Sequence, residues 1–177
     1  MIKSLLATVA VTLGCTVPAL AENTLDDHRH LLRAIQSVGV ETIVNDPTEC
    51  GQGLDGVYIS IGSQLVICQD NAKFHNEEVE WTENDLDTLR HEAHHLIQDC
   101  ADRQRGDGNL VSLFDDENYH FVVHNSLGSE TVKRIIMNYK EIGADSDTIV
   151  LELEAFAVAN AVPARSIGDK VIQLCTP

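Results

Sequence analysis

The sequence predicts an α+β domain that is mainly helical, with a small β-hairpin packed on one central helix and disulfides stapling the whole. Three observations predict it. From Thr82 to about Arg103, the apolar residues Leu86, Leu89, Ala93, Leu96, Ile97 and Cys100 recur at three- and four-residue steps, the period of one helix face. Two short β-rich runs, residues 57–61 and 65–68, are joined by Gly62-Ser63-Gln64. Beyond residue 21 the chain keeps Cys50, Cys68, Cys100 and Cys175, an even number suited to two disulfides in an exported protein.

Export is read from the first 21 residues. Lys3 supplies a basic start, residues 5–17 are almost wholly apolar or small, and Ala19-Leu20-Ala21 is an A-x-A cleavage site. Residues 1–21 therefore read as a signal peptide, with the mature chain starting at Glu22. The apolar run is too short to span a membrane. A lipoprotein signal would use Cys15, but Thr12 stands where such signals carry leucine. Residues 22–177 are then one secreted or periplasmic domain with no other membrane-spanning stretch. The 28 acidic residues against 12 basic ones, a net charge of −16, argue against nucleic acid or an anionic membrane as partner. No feature specifies an oligomer. Of the three disulfide connectivities, the expected one joins Cys50 to Cys68 across the hairpin-like segment. It also joins Cys100, at the end of the central helix, to Cys175. A cysteine-rich zinc site is disfavoured because no C-x-x-C spacing occurs.

Taken in order, residues 22–38 read as a helix through Leu25, Leu31, Leu32, Ile35 and Val38, with Gly39 past its end. His28 and His30 read as surface residues on it. Residues 40–44 form a short strand broken by Asp46-Pro47, and the hairpin follows. An extended peptide could add to that hairpin as a further strand, although ordinary core sheet explains it equally well. Residues 69–80 are a polar loop. Thr82-Glu83-Asn84-Asp85 supplies a capping box for the central helix, which ends before the turn Arg105-Gly106-Asp107-Gly108-Asn109. Residues 110–125 are mixed, with Asp115, Asp116 and Glu117 in an acidic loop. A helix runs from Gly128 to Ile142, closed by Gly143. The last helix, 148–161, is capped by Asp145-Ser146-Asp147 and stopped by Pro163.

The central helix carries His91-Glu92-Ala93-His94-His95, which is H-E-x-x-H. Positions i and i+4 share a helix face, so His91 and His95 can turn two imidazole nitrogens to one cation. Glu92 stands beside them to take a proton from water. Imidazole with carboxylate in an open tetrahedral site suits Zn2+. His94 reads as a supporting or surface residue. The last helix holds Glu152 and Glu154 among apolar neighbours, and a buried carboxylate is costly unless it is paired or ligates a metal. Either glutamate is a candidate third ligand. His120 and His124, four apart, read as donors to a developing oxyanion, a second metal pair or surface residues. Tyr139 reads as a core residue or an oxyanion donor.

With these residues in view, the chain resembles a gluzincin, a zinc metallopeptidase with H-E-x-x-H on one helix and a glutamate ligand on a later one. His91, Glu92 and His95 carry the resemblance, together with Glu152-Leu153-Glu154-Ala155-Phe156-Ala157. Glu152-Leu153-Glu154-Ala155 is similar to E-x-x-A-[DN], though Phe156 departs from the last position. Glu154-Ala155-Phe156-Ala157 is similar to E-x-F-A. Glu152 ranks first as ligand, with Glu154 as alternate or as a residue supporting the ligands. The resemblance implies a zincin-like fold, bound zinc, and a peptide or protein substrate hydrolysed with Glu92 as general base. A metzincin does not fit, since Leu96-Ile97-Gln98-Asp99-Cys100 follows His95 without the glycine and third histidine. The rival reading is a non-enzymatic, disulfide-stabilised binding domain with structural zinc or no metal. A third is hydrolysis of a non-peptide amide such as one of the cell wall.

Overall fold

The computed structural model describes residues 23–74 and 77–176. The signal-peptide reading of residues 1–21 lies outside them. Helix α1, Leu25–Ser37, opens on a capping box: Thr24 Oγ1 accepts from the Asp27 N–H, and the Asp27 carboxylate accepts from the Thr24 N–H. Strands β1, Glu41–Val44, β2, Gly56–Ile59, and β3, Gln64–Ile67, form a sheet in the order β1-β3-β2. The expected hairpin is there, with Val57 opposite Val66. β1 joins β3 in parallel, Thr42 opposite Leu65. The central strand is covered on both faces, which is why Leu65, Val66 and Ile67 are all buried. A disulfide joins Cys50, in a short 3-10 turn, to Cys68 at the end of β3.

Helix α2, Glu83–Cys100, starts at the expected capping box, with Thr82 Oγ1 and the Asp85 carboxylate each accepting from the other's backbone N–H. It ends three residues before Arg103. Edge strand β2 lies directly on it. A Cβ at Gly56 would sit 2.6 Å from Thr88 Cγ2 and 2.9 Å from the Val66 carbonyl, so only glycine lets sheet and helix approach this closely. Asp99, fully buried, accepts from the Tyr58 and Ser60 hydroxyls and the Gly106 N–H, tying the hairpin to the helix end.

Two expectations about helices need correction. Helix α3, Asp116–Glu141, is capped by Asp115 and begins well before Gly128, so only the start of the 110–125 segment is loop. Gly128, at φ 73° and ψ 156°, breaks the helical path, so a second helical segment starts there as expected, directly continuing the first. Helix α4, Ser146–Ala161, is capped by Asp145 as expected. α4 stops at Ala161 ahead of Pro163, as expected, but it is not the last helix, because Pro163 also starts another. Pro163 is the N-cap of α5, Ala164–Cys175, where its missing N–H costs nothing. Cys175 closes the second expected disulfide, with Cys100. Two disulfides suit an exported protein, and no described helix is long and apolar enough to cross a membrane.

Two apolar clusters result. The first joins α1, the sheet, α2 and α5 through Leu31, Ile35, Leu65, Leu89, Leu96 and Ile167; the second joins α3 to α4 through Val132, Ile135, Ile149 and Leu153. α4 stands between them, with Val158 in the first and Leu153 and Ala157 in the second. Ala155 is fully buried and lets α2 come close, whereas Ala157, also fully buried, packs towards α3. α2 is therefore not half-exposed as its apolar stripe suggested. Every residue from Leu89 to Cys100 is buried, because α4 covers the histidine side.

His28 is buried too, not on the surface. Its Nδ1–H donates to the Thr24 carbonyl at 2.9 Å, and its Nε2 accepts from Arg90 Nη1 at 2.6 Å. Burial lowers its pKa below 6.5; the Arg90 charge adds to this, while the Thr24 carbonyl and the Glu83 and Asp27 carboxylates oppose it. Below pH 6.5 the unfolded chain thus binds a proton that the native protein refuses, and stability is lost as pH falls. The melting temperature is expected to drop from pH 6.5 to pH 5. His28→Gln, which still accepts from Arg90 but does not titrate, is expected to flatten that slope. An unchanged slope would locate the proton elsewhere.

Candidate metal centre

α2 presents a second, polar stripe towards α4. His91, His94, His95 and Gln98 follow one another at steps of three and four residues and stand on one face. Two residues apart, Glu152 and Glu154 leave α4 about 200° from each other. They meet different parts of the stripe.

Glu152 meets His91 and His95. His91 Nε2 lies 3.1 Å from Glu152 Oε2, His95 Nε2 lies 3.5 Å from Glu152 Oε1, and the two Nε2 atoms are 3.0 Å apart. One donor atom from each of the three residues lies within 4.8 Å of the others. Without a metal the group is held together by protons shared between the two imidazoles and the Glu152 carboxylate. The chemistry of the set fits zinc, which takes imidazole nitrogen and carboxylate oxygen. Burial alone would lower the His95 pKa, but its hydrogen bond to Glu152 and the charges of Glu92 and Glu152 outweigh this and hold it up at about 9. Burial would raise that of Glu152, but hydrogen bonds from His91 and His95 hold it well below the usual carboxylate range.

Glu92 lies at the edge of this group, 6 % exposed. Burial raises its pKa, and the neighbouring His91 and His95 pull it back. A cleft of about 420 Å³ opens on the site, with His91, Glu92, Tyr139, Phe156 and Gly56 in its walls. Tyr139 is not simply a core residue: its hydroxyl donates to Glu152 Oε2 at 2.7 Å and so holds the carboxylate from the cleft side. The Phe156 ring packs on His91, with centroids 4.3 Å apart.

Glu154 belongs elsewhere. It is fully buried, and its carboxylate accepts from His94 Nε2–H at 2.8 Å, Gln98 Nε2–H at 3.0 Å, the Leu113 N–H at 3.1 Å and the Ser112 hydroxyl. Burial would raise its pKa, and these donors bring it below the ordinary value. His94 is buried with its pKa lowered, chiefly by desolvation, so it is the neutral Nε2–H form. Its expected surface or supporting place resolves into a buried support of Glu154. His120 and His124 are not brought to the site. Val123 takes the inward position on α3, and the two histidines stand exposed beside it, outside the cleft walls, with stacked rings 6.5 Å apart. Gln98 is the residue that the sequence reading missed. Its signal was its place seven after His91 and three after His95, on the same helix face.

Neither a search of curated proteins nor a search of solved structures found a match. One family model, described as "Domain of unknown function (DUF8637)", matches residues 22–163, which hold the histidine motif, both glutamates and the cleft. With well over half of its length matched, the chain belongs to that family.

Proposed function

We propose that this protein is an exported zinc-dependent peptidase with a zincin-like arrangement, in which His91, His95 and Glu152 hold the metal. One observation carries the reading: three ligand atoms of the right types converge within 4.8 Å at the wall of an open cleft, beside Glu92. A structural zinc site fills all four positions with protein, whereas here three protein ligands converge, one of them, His91, in the cleft wall, which leaves the fourth position to water or substrate. Zinc bound there supplies Lewis acidity towards the scissile carbonyl and lowers the pKa of water to about 7.

The chain's own residues do the rest. Glu92 takes the proton of the attacking water and returns it to the leaving amine. Its burial, which raises its pKa, suits a group that must both accept and release a proton. Tyr139 orients Glu152, and Phe156 fixes the His91 ring. The polypeptide substrate lies in the cleft between β2 and the α4 end that carries Ala159 and Asn160.

The test is metal content followed by turnover. Protein starting at Glu22 and made with its disulfides is expected to hold one zinc per chain and to cleave peptides from a mixed library. Chelation should abolish cleavage and added zinc restore it. A folded protein that takes up no zinc would end the reading. One that holds zinc but cleaves nothing would make it a binding domain.

A further inference from the structure

The three ligands are not supported alike. His91 Nδ1 is buried and has no hydrogen-bond partner among the described residues. His95 Nδ1–H donates to Gln98 Oε1 at 2.7 Å. Gln98 is itself fully buried and held at its other end: its Nε2–H group donates to Glu154 Oε1 at 3.0 Å and to the Leu151 carbonyl at 3.1 Å. Those two bonds fix which way the amide faces, because Nε2 must point to the two acceptors. Oε1 is then left towards His95, where only an N–H donor satisfies it. With Nδ1–H committed to Gln98, Nε2 is the nitrogen of His95 turned to His91 and Glu152.

We propose that Gln98 is the positioning residue of the metal centre. It holds His95 with its Nδ1–H outward and its Nε2 presented, while the Glu154 carboxylate sets the amide of Gln98. The inference rests on the zinc reading above and adds to it a line of support from the segment after α2. Ser112 and Leu113 donate to the same Glu154 carboxylate, so the 112–113 segment is connected to His95 by two side chains. A glutamate whose charge is fully enclosed, two residues from the candidate ligand, thereby has a role without touching the metal. Outer hydrogen bonds of this kind fix ring orientation, and their loss typically weakens metal affinity by about 10–100-fold.

The experiment compares the wild type with Gln98→Met, which keeps length and volume but removes the amide, and with the exchange Gln98→Glu/Glu154→Gln. The exchange returns an acceptor to His95 and a donor to position 154. Two readouts are taken: zinc affinity by competition with a chelator, and the His95 Nδ1 proton by nitrogen-15 NMR of the metal-free protein. The wild type should show a slowly exchanging Nδ1 proton. Gln98→Met should lose it and bind zinc about 10–100-fold more weakly, and the exchange should recover most of both. Equal zinc affinity in wild type and Gln98→Met overturns the inference, and so does a rapidly exchanging Nδ1 proton in the wild type, even if no variant folds. A wild type that binds no zinc yet protects that proton overturns the metal reading and with it the metal role of Gln98. A wild type that binds zinc through a Gln98-dependent His95 but cleaves no peptide overturns only the peptidase reading.

Discussion

Glu92→Gln is expected to bind zinc as the wild type does and to hydrolyse peptide about 10²–10⁴-fold more slowly, the contribution of a positioned general base. The substitution keeps shape and removes the ability to take a proton. Glu92 is not one of the three convergent atoms, so its loss leaves the donor set intact. It is almost fully buried at the cleft wall, so bulk water does not readily replace it. The amide also removes a negative charge close to His95, whose pKa Glu92 helps to raise, so the metal-free histidine pair should hold its proton less tightly. Elemental analysis and turnover under the same conditions check both halves. Wild-type turnover with zinc retained would remove Glu92 from the chemistry and leave the metal site standing.

Much of this site was legible because its signals are local. The H-E-x-x-H spacing, the Thr82 to Asp85 capping box and the Asp145 cap each lie within a few residues, and the geometry of a helix does the rest. Cys50–Cys68 was legible for a related reason, closing a short loop around a hairpin. What depends on distant partners was not. The parallel pairing of β1 with β3 leaves no mark in either strand, since both read only as β-rich runs. The apolar stripe of α2 suggested one free face, and nothing near it in sequence announces that α4 will cover the other. His94 consequently read as a supporting or surface residue and Gln98 was not singled out, when both are buried partners of Glu154. Helix α5 was missed because Pro163 reads equally as a stop and as a start, although the expected Cys100–Cys175 disulfide already required the chain to return to the end of α2. Where propensity was weak, around residues 116–127, the cap at Asp115 was the better signal than apolar period.

The two glutamates of α4 separate function from stability, and their alanine variants should differ in kind. Structural zinc is worth roughly 10–16 kcal/mol, so losing one ligand should cost about 3–4 kcal/mol of binding, about 10²–10³-fold in affinity. Glu152→Ala is expected to show that loss with a smaller loss of metal-free stability than Glu154→Ala: it removes the acceptor of the Tyr139 hydroxyl, at the cleft, and of the two imidazoles, at a carboxylate that is less buried than Glu154. Glu154→Ala removes a fully enclosed carboxylate and takes the acceptor from buried His94 and from the Leu113 N–H, while Gln98 and Ser112 each lose one of their two acceptors. Breaking a buried charged network in this way costs about 3–5 kcal/mol, a large share of the stability of a domain. Its zinc affinity should fall too, but by less than in Glu152→Ala, because Glu154 acts only through Gln98. Denaturant unfolding of the metal-free proteins beside zinc competition gives both numbers. If Glu154→Ala lost zinc completely and kept its stability, the assignments of the two carboxylates would be reversed, and Glu154 would be the ligand.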